Sequence, residues 1–407
     1  RWGSAPQPFE RFLPSAYGDG IGSFRKSMNG KELPNPRRIS RILSNSKQQQ
    51  TPKFSLMVMQ WGQFIDHDVT LTPEIELKEY VDGSKAIECC DEGLYAKSDS
   101  QHFGKACRPI DVENDAFFRQ DNRECLRFIR SMPTTRGCSF TVREQINQNT
   151  AFVDGSMIYG SEKDVADFVR THIRGELNVS RNLDGSAGTQ NLPPRGGTNF
   201  SQPCPLADSM QQCFLAGDVR VDEVPGLTAM HTAFIRLHNI IAHKLFHLNP
   251  NWDDEMLFQE TRRIISALIQ QITYRDWLPK VIPQKFMKEL DLDTGEHGYK
   301  DTYYHNINPT LRNVFSTAAF RFGHSLVPDF IKVANKQDSL PLEGNFFNIN
   351  VIQSNGSDTS DMLKGVAQCP SEAFDGVVAN TLTDKLFAEV NSMGKFFGLD
   401  LVSLNIQ

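Results

Sequence analysis

Four residues in the stretch MQWGQFIDHDVTLTP (Met59 to Pro73) carry side chains able to move protons or hold cations: Gln63, Asp66, His67 and Asp68. On a helix, Gln63 lies three residues from Asp66 and four from His67, so an amide, a carboxylate and an imidazole share one face. Imidazole is the side chain that exchanges protons near neutral pH. Asp68 points about a quarter turn away from His67, where its carboxylate could serve a cation. Taken alone, the stretch reads equally well as a surface helix with a solvated polar stripe.

A second stretch, NTAFVDGSMIYGSE, places Thr150, Phe152, Asp154 and Ser156 at every second position. An arched backbone of this kind can turn hydroxyls, a carboxylate and main-chain carbonyls to one point. Hard oxygen donors suit Ca²⁺, which takes about six to eight of them at roughly 2.3–2.6 Å. Such a site usually needs a carboxylate from elsewhere, and Asp68 is the candidate. An ordinary loop with Asx and Ser turns is the simpler reading of the segment by itself.

Most histidines read as structural. His231, His238, His243 and His247 share one helical segment, and His243 and His247 have the i, i+4 spacing of a zinc pair. The intervening KLF lacks the glutamate of a metalloprotease motif. His324, in AAFRFGHSLVPDF, closes an apolar run beside Arg321 and before Pro328, where an imidazole needs a partner. It is either a satisfied core histidine or an axial ligand for haem iron. In AGDVRVDEVPGLTAMH, Arg220 and Glu223 are one helical turn apart. In a dry pocket the guanidinium is a fixed positive charge; on a surface the two are an ion pair.

The elements that must position these groups are mainly helices. KFSLMVMQWGQFIDHDV, LTAMHTAFIRLHNIIAHKLFHLN and DEMLFQETRRIISALIQQITYRDWLPKVI carry helical periodicity, and NWDD supplies an N-cap for the last. SDTSDMLKGVA and LTDKLFAEVNSMGKFFGLDL are expected to add shorter helices. Strand-like alternation is scarce, and Gly/Pro/Ser/Asn-rich tracts such as VSRNLDGSAGTQNLPPRGGTNFSQPCP read as exposed loops. No linker, repeat or heptad array divides the chain. Residues 1–407 are therefore expected to form one large, mostly α domain with little β structure, long loops and disulfides.

Composition excludes several classes. A net charge of -6 argues against nucleic acid as the main partner, because phosphate binding needs surplus Lys and Arg. No apolar run reaches the roughly 18–20 residues that span a bilayer. The opening RWGSAPQPFE lacks the regions of a signal peptide, and reads as a mature or trimmed terminus. Five of the 8 cysteines (Cys89, Cys90, Cys107, Cys125, Cys138) crowd one stretch, Cys204 and Cys213 bracket a loop, and Cys369 stands alone. Without C-x-x-C spacings, disulfides in a secreted protein fit better than zinc. Sequons at Asn178, Asn199 and Asn355 point the same way.

Together, MQWGQFIDHD, TAFVDGSMIYGSE, CFLAGDVRVDEVPGLTAMHTAFIRLHN, NWDDEMLFQETRRIISALIQQITYRDWLPK, TAAFRFGHSLV and GLDLVSLNIQ resemble, in order, the animal haem peroxidase superfamily. This group includes myeloperoxidase, peroxidasin, peroxinectin and insect chorion peroxidase. The resemblance covers essentially the whole chain, and the opening segment looks most like the invertebrate and peroxidasin-like members.

It implies His67 as distal base with Gln63 as its neighbour and Arg220 as distal charge. It further implies Asp66 and Glu223 as ester links to haem b, His324 as axial ligand of the iron with Asn405 on its second nitrogen, and Arg321 facing a propionate. Calcium would be held by Asp68, Thr150, Phe152, Asp154 and Ser156, with Thr150 and Phe152 offering main-chain carbonyls. The implied activity uses hydrogen peroxide, through an oxoferryl porphyrin-radical intermediate, to oxidise halides, thiocyanate or tyrosine-like phenols outside the cell.

Two departures matter. Val224 stands where myeloperoxidase has a methionine bonded to haem, so chloride is expected to be a poor substrate. The family pattern continues beyond Gln407 with an RGRDHG-type segment, implying a C-terminal part on a companion chain or further along this one. The alternative function, a peroxinectin-like adhesion or matrix protein using the fold for binding, is weakened because neither RGD nor KGD occurs.

Overall fold

The computed structural model describes residues 2–44, 47–75, 89–90, 106–134, 142–180, 191–195, 213–294, 301, 303–353, 358–390 and 396–407. It is 40% helical and 13% strand, with the strands in small two- and three-stranded sheets, as the mostly α reading anticipates.

The helix Met57–Val69 lies between two apolar clusters. Met59 packs with Phe214, Leu342, Phe346 and Leu382 on one side. Trp61, Phe64 and Ile65 pack on the other, with Met157, Phe234 and Ile265. Buried on both flanks, this helix can hold polar groups only where they find partners. Its expected N-terminal turn is instead strand. Gln50–Ser55 pairs antiparallel with Pro370–Glu372, with Thr51 opposite Ser371, and the helix starts only after Leu56 donates its N–H to Cys369 O. At the other end Thr70 is extended and the helix stops.

Pro225–Leu248 and Asp254–Gln271 form a helical hairpin across a five-residue turn. Pro225 begins the first helix, at the position where a missing N–H costs nothing. Asp253 caps the second by accepting from Met256 N, as NWDD predicts. The second helix continues through a π-helical turn, Ile272–Trp277, into Leu278–Val281. Two indoles tie this region to the Met57–Val69 helix: Trp61 Nε1 donates to Thr273 Oγ1 at 3.2 Å, and Trp277 Nε1 to Val58 O at 2.8 Å.

One expected helix is wrong. Among its described residues, LTDKLFAEVNSMGKFFGLDL starts in the helical turn Asn380–Thr383 and goes on as two antiparallel strands, Leu386–Val390 and Phe396–Leu399. Phe387 adopts φ +53°, a left-handed conformation that no α-helix interior accepts. Gly398 seats this pairing, since a Cβ there would stand 2.3 Å from Lys385 Cα. The helix resumes at Leu401–Ile406, capped by Asp400, whose Oδ1 accepts from Val402 N and Ser403 N.

Arg37, on the helix Pro36–Leu43, anchors that terminus. Its Nη1 donates to Asp400 Oδ2 at 2.8 Å and to Thr383 O at 2.7 Å, its Nη2 to Asp384 at 2.6 Å, and its Nε to Asp115 at 2.9 Å. The guanidinium is 2% exposed. Among the described cysteines, Cys89 bonds Cys107 and Cys90 bonds Cys125, stapling the region as expected, while Cys369 is free. Cys138, Cys204 and the sequons at Asn199 and Asn355 lie outside the described residues. The Asn178 amide donates to both Phe168 O and Arg170 O at 2.7 Å, so this sequon side chain has a structural task.

Candidate active site

One cavity gathers the residues singled out from spacing and from the family resemblance. Gln63, Asp66 and His67 reach it from the Met57–Val69 helix, and Arg220, Glu223 and Val224 from the turn before the long helix. Arg321 and His324 come from the 3₁₀ segment Ala319–Leu326, and Asn405 from the last helix. Phe346, Leu342, Leu386, Ile331 and Val327 supply apolar wall.

The chain folds locally to aim each group. Glu223 N donates to Arg220 O at 3.0 Å, closing the turn that brings the two side chains to the same cavity. Thr70 Oγ1 donates to Asp66 Oδ1 at 2.8 Å, leaving Asp66 Oδ2 3.3 Å from Arg321 Nη1 and 3.8 Å from Arg220 Nη1. Gln60 Nε2 donates to Gln63 Oε1, and Gln63 Nε2 to Glu223 Oε2, both at 3.1 Å. His67 Nε2 lies 3.5 Å from that same Glu223 oxygen.

Electrostatics sort the charges. Burial, reinforced by the Arg220 charge, holds the His67 imidazole well below its ordinary pKa, so the ring is neutral. Burial and the Arg321 charge lower His324 to about 4. Arg220 stays cationic because Asp218 outweighs the cost of burying it. Burial pushes the Glu223 carboxyl up, against the pull of Arg220.

The sequence reading missed several partners. Asp218 grips Arg220 with both oxygens, at 2.8 Å to Nε and 2.7 Å to Nη2, and is 2% exposed. Arg220 Nη2 also donates to Thr70 O at 2.6 Å, and Asn149 Nδ2 donates to His67 O, also at 2.6 Å. The only hint of Asp218 is its i, i+2 position before Arg220; nothing local marks Gln60 or Asn149. Of the remaining histidines, His238 is structural, between Tyr159 Oη at 2.9 Å and Gly175 O at 2.8 Å. His243 and His247 face each other on the exposed side of their helix.

A second cluster adjoins the first. Asp68, turned away from the cavity, accepts from Ser156 Oγ at 2.8 Å and from Gly155 N at 3.2 Å. Asp154 accepts from Thr150 Oγ1 at 3.1 Å and from Ser156 N at 3.0 Å, and Phe152 O accepts a 2.9 Å bond from Asp154 N. Burial and the neighbouring Asp154 push the Asp68 carboxyl up to about 7, and burial also raises Asp154. A buried and a half-buried carboxylate in mutual repulsion, ringed by hydroxyl and carbonyl oxygens, fit a Ca²⁺ donor set. Ser266 Oγ and Gln270 Nε2 brace this loop through Asp154 O and Val153 O, both at 2.7 Å. Gly217 and Asp218 donate their N–H groups to Ile158 O and Met157 O on the short helix Ser156–Tyr159. A Cβ on Gly217 would meet Gly160 N and Ser156 O at 2.2 Å, so only glycine permits this approach.

The cavity also fits haem by its donors. His324 Nδ1 is 2.9 Å from the Asn405 amide, leaving Nε2 for a metal. Arg220 and Arg321 can meet anionic groups, and the walls are largely apolar.

Comparison with known proteins agrees. The family description "Animal haem peroxidase" matches residues 1–407. The chain is 37% identical to chorion peroxidase of Drosophila melanogaster over all of its own length and 49% of that protein. It is 34% identical to human myeloperoxidase, covering all of this chain and 54% of that one. Among solved structures, peroxidase A of Dictyostelium discoideum superposes with a TM-score of 0.77 at 25% identity, over 100% of this chain and 72% of that one. A fatty acid alpha-dioxygenase of Oryza sativa shares the fold alone, with a TM-score of 0.65 at 17% identity over 100% of this chain and 62% of that one. The chain thus spans about half the length of these two curated relatives, and over all of that span it belongs to the animal haem peroxidase family.

Proposed function

We propose that the protein is a secreted haem peroxidase that reduces hydrogen peroxide and oxidises halides other than chloride, thiocyanate or tyrosine-like phenols. The observation that carries this reading is the convergence of neutral His67, cationic Arg220 and Asn405-bound His324 on one cavity. Disulfides in a chain with sequons, and relatives such as chorion peroxidase, support an extracellular location.

Haem, when bound, supplies the centre that takes peroxide and passes oxidising equivalents to a substrate. The chain supplies the rest. His67 Nε2, with its lone pair toward the cavity, accepts the proton from one peroxide oxygen and returns it to the other, so that water leaves. Arg220, held by Asp218, stabilises the negative charge that develops as the O–O bond breaks. Gln63 holds the rim beside His67. His324 would offer Nε2 to iron, with its Nδ1 held 2.9 Å from the Asn405 side-chain amide. Asp66 and Glu223 each present a carboxylate oxygen to the cavity, where ester links would hold the cofactor. Val224 has no sulfur for a third link. Asp68, Thr150, Phe152, Asp154 and Ser156 would hold calcium and fix the backbone next to His67.

An absorption spectrum of the haem-loaded protein tests the reading. A strong Soret band that shifts on adding peroxide and returns with bromide or a phenol is expected. A haem-loaded protein whose spectrum ignores peroxide refutes it.

A further inference from the structure

The two ring nitrogens of His67 have different surroundings. Nε2 faces the cavity beside Glu223, whereas Nδ1 is buried in the protein and has no hydrogen-bond partner among the described residues. Asp218 Oδ1 lies 3.9 Å from Nδ1, too far for a direct bond. A second imidazole belongs to the same neighbourhood. His231, on the long helix, is 0% exposed, and neither of its nitrogens has a hydrogen-bond partner among the described residues. It packs edge-on against Phe64, one turn before His67, with ring centroids 5.2 Å apart. Its electrostatic neighbours are His67, Asp218 and Arg220.

Orphaned buried nitrogens on two imidazoles, one of them facing the Asp218 carboxylate across 3.9 Å, are polar groups that no described protein group satisfies. Native interiors satisfy such groups with ordered water, which needs a polar site with about two to four partners. A gap of 3.9 Å between a ring nitrogen and a carboxylate oxygen is a place to look for it.

We propose that buried water joins His67 Nδ1, His231 and the Asp218 carboxylate, making His231 and Asp218 positioning residues for His67. The inference rests on His67 being the distal base of the proposed peroxidase. Water accepting from Nδ1–H fixes the ring plane and the tautomer that keeps the Nε2 lone pair toward the cavity, as a third group orients the base in catalytic triads. Because Asp218 also grips Arg220, one carboxylate would hold base and charge in register. His231 would close the far side of the water site.

The test has a structural arm and a kinetic arm. High-resolution diffraction of the haem-loaded wild-type protein is expected to show water within hydrogen-bond distance of His67 Nδ1 and of both His231 and Asp218. His231→Leu should lose that water and react with peroxide about 10- to 100-fold more slowly. Its urea midpoint should be unchanged or higher, because leucine removes two buried polar atoms beside Phe64. His231→Gln keeps a polar atom in reach of the water and should recover most of the rate. A histidine with only a packing role predicts the reverse, a lower midpoint with an unchanged rate. The proposal is overturned by a dry site in the wild type, by His231→Leu at the wild-type rate, or by His231→Gln as slow as His231→Leu. Wild-type protein that holds haem but ignores peroxide would refute the peroxidase reading instead, and diffraction would still decide the water.

Discussion

Replacing Arg37 with leucine should destabilise the protein far more than an average substitution. The guanidinium satisfies Asp115, Asp384, Asp400 and the Thr383 carbonyl with side-chain exposures of 2, 9, 9 and 0% for Arg37 and the three carboxylates in turn. Leucine leaves those carboxylates buried without the guanidinium, Asp384 keeping only the 3.9 Å contact of Arg41, and breaking a buried ion pair from one side costs about 3–5 kcal/mol. Against a total stability of about 5–15 kcal/mol this is a large share. With a urea slope of about 3 kcal/mol/M or a little more, the midpoint should fall by about 1 M at pH 7. Burial already raises Asp384 despite Arg37, whereas the Arg37 bonds and backbone N–H groups overcome burial to keep Asp115 low. Without Arg37 both should rise. A carboxyl whose folded pKa exceeds its unfolded value costs stability above that pKa, and the cost fades as pH falls through it. The gap between variant and wild type should therefore be widest near neutrality and narrow toward pH 4.5. Arg37→Lys should fall in between, since an ammonium cannot reproduce the fork. A midpoint shift at pH 7 below about 0.3 M, or a gap that does not narrow in acid, would refute the reasoning.

Asp154→Asn should reduce bound calcium, measured by atomic emission after gel filtration, and remove the calcium-dependent rise in melting temperature; retention of both would exclude the Asp68–Asp154 cluster as the ion's site. In the wild type, prolonged treatment with a strong chelator should lower turnover while the haem content stays constant. Asn405→Asp should move the haem midpoint potential negative, because a carboxylate on Nδ1 makes His324 a more anionic ligand; spectroelectrochemistry showing no shift would separate Asn405 from the iron. Bromide and thiocyanate should be oxidised efficiently and chloride poorly at neutral pH, and brisk chlorination in a halogenation assay would show that Val224 does not set the limit.

The parts legible in the sequence are those carried by local spacing. Gln63, Asp66 and His67 fall on one helical face, and Thr150 to Ser156 alternate along one strand-like arch, so their grouping follows from backbone period alone. The caps and the long helices are local as well. What stayed hidden depends on partners far away in sequence. Asn149 takes its meaning from His67, 82 residues away, and Asp218, although it bonds Arg220 only two residues on, comes within 3.9 Å of the His67 ring only through folding. Lys53 to Ser55 looked helical because the strand they pair with lies over 300 residues later. The stretch after Leu382 has apolar residues that fit either period, and the left-handed Phe387 that decides between them leaves no mark in composition.

The cavity and the terminal helix beside it are held by hydrogen bonds that span great lengths of chain: Gln63 to Glu223 across 160 residues, Arg321 to Asp66 across 255, and Arg37 to Asp400 across 363. Each closes a loop whose entropy must be surrendered before the bond returns anything, and topologies of this kind fold slowly. The site is therefore expected to be completed late in folding. Every segment must already be in place when the walls meet. Cofactor capture then becomes a report on finished folding, and a partly folded chain has no pocket in which to hold a reactive group prematurely.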